Sequence, residues 1–137
     1  MKALVKTLGA TIAVAALAAA GGAQAKPRLT GEAELARLLE GREPGRPVNC
    51  LMLTQTDNVR IIDRTALVYG SGRTIYVNRP HHARALDRDD VLVTRLHSSQ
   101  LCKLDAVKLH DRSSHMFNGF VSLEEFVPYR RIESARR

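Results

Sequence analysis

Apolar positions along the chain change their spacing twice. From 8 to 20 (LGATIAVAALAAA) they run unbroken, between Glu32 and Glu40 they recur at helical spacing, and from Val48 onward they fall in short β-branched clusters separated by turn residues. Lys2 and Lys6 precede the first run, and Gly21-Gly22 and then Ala23-Gln24-Ala25 follow it. A positive start, an apolar middle and a small-x-small end make a cleavable export signal. The run is shorter than the roughly 20 apolar residues of a spanning helix and is largely alanine, so an uncleaved membrane anchor is the lesser reading. No cysteine near the cleavage point suggests a lipid anchor. Residues 1–25 are therefore expected to be a signal peptide of bacterial style, and the product periplasmic or secreted, with no transmembrane segment after cleavage.

Residues 26–47 are expected to form a lead, a short helix and a linker. Leu35, Leu38 and Leu39 share one stripe of the segment 32–40, Thr30 or Gly31 can cap its start, and Gly41 stands where a C-terminal cap is wanted. Gly41 to Pro47 then reads as a turn-rich connector. Residues 48–130 are expected to be a β domain, with strands near 48–53, 58–62, 65–69, 73–78, 91–96 and 105–110. Gly70-Ser71-Gly72 predicts a hairpin turn, because glycine reaches the positive φ such turns need. Ser98 to Leu101 reads as a turn that brings Cys102 towards Cys50. Phe120 to Tyr129 reads as a strand, a helical turn and a closing strand. The fold expected is mainly β (α+β), a small antiparallel β-barrel or curled sheet of about six to seven short strands with one N-terminal helix.

Charge adds little direction. The chain carries a formal net charge of +7, of which Lys2 and Lys6 belong to the expected signal. The arginines are scattered and interleaved with acids, which describes a solvated mixed surface rather than a nucleic-acid face. Residues 131–137 read as a basic flexible tail. Cys50 and Cys102 both lie in the exported part, where an even cysteine count predicts a disulfide. A redox-active thiol or a metal ligand is the alternative, although no CxxC pattern is present.

Several of these residues form a recognisable string. Cys50, Arg60-Ile61-Ile62-Asp63 with Thr65, Tyr76-Val77-Asn78, and Ser99-Gln100-Leu101-Cys102 with Asp105 and Val107 resemble a family of small exported proteobacterial proteins catalogued as a domain of unknown function. The likeness covers roughly residues 48 to 110. Relatives often carry a further cysteine after the asparagine, where this chain has His81-His82-Ala83-Arg84. The resemblance implies a small exported domain and assigns no catalytic residue.

Candidate chemistry is sparse. Five histidines (His81, His82, His97, His110 and His115) could suit a metal, and His110, His115 and Asp111 are the nearest to a ligand set. Ser113 and Ser114 beside His115 and Asp111 contain the residue types of a nucleophilic triad, without the glycine pattern of a nucleophile elbow. Asp87, Asp89 and Asp90 could offer oxygens to a cation, but read more simply as a loop with Asp and Arg paired at its surface. Asp63 and Asp105 read as turn caps, and Asn78 as the end of a strand. The expectation is a non-catalytic binding or interaction module of the bacterial envelope, without a cofactor, whose partner is an envelope protein or an anionic envelope component. A periplasmic metal-binding protein using histidines is the alternative, and a small periplasmic enzyme the further one.

Overall fold

The strand Ala66–Tyr69 is buried along its whole length, and the other elements cover it from two sides. A computed structural model describes residues 25–133; nearly all of the expected signal peptide and residues 134–137 of the expected tail lie outside them. Helix α1 (Gly31–Leu39) is followed by strands β1 (Arg42–Pro44), β2 (Cys50–Met52), β3 (Val59–Ile62), β4 (Ala66–Tyr69) and β5 (Thr74–Asn78). Then come β6 (Asp90–Thr94), β7 (Gln100–Cys102), β8 (Ala106–Asp111), β9 (Phe117–Ser122) and β10 (Phe126–Arg131). They form three antiparallel sheets, in the orders β1-β10-β5-β4-β3, β2-β7 and β6-β8-β9.

The helix forms where the leucine stripe placed it. Thr30 Oγ1 accepts from the Ala33 N–H at 3.3 Å, Glu32 and Glu34 sit in the first turn, and Gly41 takes a φ of 69° just past the end. Leu35, with Leu38 and Leu39 beside it, packs on Ile62, Ala66, Val68, Ile75 and Val77. Burying one such leucine stabilises by about 2 kcal/mol. At Gly31 an added Cβ would lie 2.0 Å from Thr65 Oγ1, so only glycine lets the helix start this close to the β3–β4 turn. The opposite face of the five-stranded sheet offers Leu67, Tyr69 and Phe126 to a second cluster that includes Leu109, Val121 and Leu123 from the β6-β8-β9 side. Tyr69 and Phe126 meet edge to face, with centroids 5.7 Å apart.

The sheet does not close into a barrel. The five-stranded sheet ends at β1 and β3 and the three-stranded sheet at β6 and β9, so the edges of both stay open. Ten strands replace the expected six to seven, and two of them form where none was expected. Arg42–Pro44, expected in the connector, pairs with Tyr129–Arg131, which also places Arg131 of the expected tail in a strand. Gln100–Cys102, expected to follow a turn, pairs with Cys50–Met52. Cys50 and Cys102 stand opposite each other in that register and are joined by a disulfide. Among the described residues no helix is long and apolar enough to cross a membrane.

Candidate functional site

The β6-β8-β9 sheet turns one face inward through Leu92, Val107, Leu109 and Val121, and alternation sends the residues between them outward. The outward rows are not polar. Val91 stands across from His110, which stands across from Phe117; Val93 stands across from Lys108, which stands across from Phe120. Phe117 is 59 % exposed and Phe120 53 %, and Met116, Val91 and Val93 are exposed around them. His110 and Phe117 meet edge to face at 5.8 Å.

Phe117 and Phe120 are three residues apart, a spacing that regular alternation would place on opposite faces. A bulge between Leu109 and His110 resolves this: Leu109 opposes Gly119 and His110 opposes Phe117, so Asn118 is the extra residue. Gly119, at φ 129°, takes the backbone conformation that a side chain would resist. Asn118 Nδ2 donates to Asp90 Oδ1 at 3.1 Å and ties the bulged edge to the start of β6.

Lys108 is the charge at the middle of this face, and it makes no ion pair with any described residue. Arg112, exposed just beyond β8, is likewise without an ion pair to a described residue. The exposed parts of the two phenylalanines, Met116, Val91 and Val93 amount to an apolar area on the order of 500 Å². Patches of that size on monomers are often functional.

The residues singled out from the sequence fall into place around this face, but mostly as turn builders. Asp111 Oδ1 accepts from the Ser113 N–H (3.0 Å), the Ser114 N–H (2.7 Å) and the Ser114 hydroxyl (2.9 Å). The Ser114 backbone bond, then its hydroxyl, hold the Asp111 carboxyl below the usual aspartate range. His110 Nδ1 lies 3.4 Å from the His115 carbonyl rather than beside a serine hydroxyl, and His115 has a φ of 58° in the turn. His81 pairs with Glu124, His82 opens the short turn 83–85 with a φ of 62°, and His97 is exposed. Among the described residues no three His, Cys, Asp or Glu side chains group to hold a metal.

The acidic loop departs from its expected form. Asp87 Oδ1 accepts from the Asp89 N–H, but Asp90 is buried in β6 rather than solvated. Arg88 pairs with Asp63 and Glu34, not with its neighbours in sequence. Asp63 is thus an ion-pair partner rather than only a turn cap, whereas Asp105 does cap, taking the Cys102 N–H at 2.7 Å. Asn78 does more than end a strand. Fully buried, it donates to the Glu124 carbonyl and accepts from the Glu124 N–H.

Sequence reading missed Met116 and Phe117 altogether and placed Phe120 in an apolar segment without seeing that it faces outward. Asn118-Gly119 between two phenylalanines was the signal available, since glycine inside a strand marks a bulge. Comparison with protein-family models, curated proteins and solved structures finds nothing that matches this chain.

Proposed function

We propose that this chain is an exported, non-catalytic binding module of the bacterial envelope, and that the outer face of β6-β8-β9 is where it holds a protein partner. The observation that carries the reading is the register of two exposed phenylalanines and two exposed valines around Lys108, a cation without an ion pair to any described residue in the middle of an apolar surface. A partner complementary to it presents apolar side chains around a carboxylate. Two other occupants fit less well. A lipid bilayer would have to take the Lys108 ammonium together with the rings that flank it, and burying an unpaired charge is costly. A second copy related by a two-fold axis would set Lys108 and Arg112 near their own equivalents, and like charges facing each other are unfavourable.

The disulfide between Cys50 and Cys102 supports the exported setting, because such bonds persist in oxidising compartments. The experiment is site-directed photo-crosslinking in the envelope of an expressing bacterium, with the photoreactive residue at Phe120 and, as control, at Arg37 on α1. The expected result is one envelope protein captured from position 120, not from 37, and lost on Lys108→Glu. Capture of lipid only, of a second copy only, or of the same proteins from both positions overturns the reading, as does capture that survives Lys108→Glu.

A further inference from the structure

A groove of about 540 Å³ runs between the outer edges of β3 and β6 and shares Val91 and Arg112 with the aromatic face beside it. Its walls include Val59, Arg60 and Ile61 on one side and Asp90, Val91 and Leu92 on the other. Each of these strands has a single partner, β4 for β3 and β8 for β6.

Ladder geometry says which main-chain groups are left over. The Gly70 N–H donates to the Asn58 carbonyl, so with the β3–β4 register the bonded positions on β3 are Arg60 and Ile62. Val59 and Ile61 then direct their amides and carbonyls away from β4. By the same alternation, the Arg112 N–H bonded to the Asp89 carbonyl assigns Val91 and Val93 to β8 and turns Asp90, Leu92 and Thr94 outward. Apart from the Asp90 N–H, which donates to the Asp87 carbonyl, two rows of main-chain donors and acceptors without a partner among the described residues therefore border one groove, which is the arrangement that accepts an added strand. The four residues of β3 and five of β6 match a segment of about 15 Å.

A second observation points to a ligand at the same place. Asp90 is 3 % exposed and lines the groove; its Oδ1 accepts from Asn118, while Oδ2 is buried with no hydrogen-bond partner among the described residues. A buried carboxylate oxygen without a donor is unfavourable, and a donor arriving in the groove reaches it only with a shift of the Asp90 side chain.

We infer that the groove between β3 and β6 takes an extended, acidic peptide segment of another protein as an added strand. The charge decides the occupant. Arg60, Arg88 and Arg112 line the groove against Glu34 and Asp90, and Arg88 is already held by Asp63 and Glu34, which leaves two exposed guanidinium groups facing an incoming chain. The two segments outside the described residues are of the wrong sign: 1–24 contain lysines and no acid, and 134–137 read Ser-Ala-Arg-Arg. Val91 and Arg112 are common to both surfaces, but the β3 edge and Arg60 belong to the groove alone and Phe117 and Phe120 to the aromatic face alone, so either reading can fail without the other.

The test is an amide NMR titration of the oxidised protein with a capped heptapeptide of alternating valine and glutamate. Its lysine counterpart and a version N-methylated at alternate amides serve as controls. Saturable shifts and at least tenfold slower exchange at Val59, Ile61, Leu92 or Thr94 are expected with the glutamate peptide alone. Arg60→Glu with Arg112→Glu, both at exposed positions, should weaken binding at least tenfold while the remaining spectrum is unchanged. Absence of saturable shifts up to millimolar peptide overturns the inference. So does equal binding by the lysine or N-methylated peptide, binding that survives the charge reversals, or protection of the same amides that grows with protein concentration alone.

Discussion

Cys50 and Cys102 face each other across the β2–β7 ribbon, the smallest of the three sheets, and the disulfide between them closes a loop of 52 residues. That loop contains β3 to β6, so the bond fastens the chain on both sides of the most buried strand. By loop-closure entropy such a link is worth about 4 kcal/mol, a large share of the roughly 5–15 kcal/mol of a small domain. Replacing both cysteines with serine is expected to lower the unfolding free energy by about that amount, read as a shift in the urea midpoint.

Phenylalanines at two places should behave in opposite ways. Phe126 is fully buried in the larger cluster, so Phe126→Ala is expected to cost about 3–5 kcal/mol. Phe120→Ser, on the outer face, is expected to change stability by no more than about 0.5 kcal/mol. Denaturant unfolding of the two variants separates a core role from an external one. A loss for Phe120→Ser near that of Phe126→Ala would mean that the ring is buried.

Asn78 holds both main-chain groups of Glu124, at 2.6 Å and 3.1 Å. Asn78→Ala leaves a carbonyl and an N–H without their partner in the turn between β9 and β10. A loss of about 2–3 kcal/mol is expected, with faster exchange of the Glu124 amide.

The turn after β8 should depend on pH through Asp111. Its folded carboxyl titrates below the unfolded one because Ser114 and Ser113 donate to the charged form. The sign follows: the turn's contribution is complete above the unfolded aspartate range near pH 4 and is lost as pH falls through the lower folded value. Carboxyl NMR titration should show Asp111 titrating low in the natural chain and moving upward in Ser114→Ala. An unchanged titration in that variant would remove Ser114 as the cause.

Where local chemistry was sufficient, the elements could be read from the chain. Thr30, the leucine stripe and Gly41 located α1, and Gly70-Ser71-Gly72 located the β4–β5 hairpin. Where pairing with a distant segment makes the element, nothing local announced it. Arg42-Glu43-Pro44 has no strand-forming residue and is a strand only because Tyr129 to Arg131 lie alongside. The outer face was hidden for a related reason, since Phe117 and Phe120 share a side only through the register of β8 and β9. Asp90 looked like its solvated neighbours because burial depends on what Asn118 brings across the sheet.

The extra residue at Asn118 has a consequence for how this surface would vary among sequences. Trimming Asn118 restores a two-residue step between the phenylalanines and keeps both rings outdoors, whereas ironing the strand flat with Asn118 kept swings one ring into the interior. The bulge, rather than the length of the step, therefore governs the character of this edge, and one and the same sequence would wear a different surface here with the strand bulged or flat.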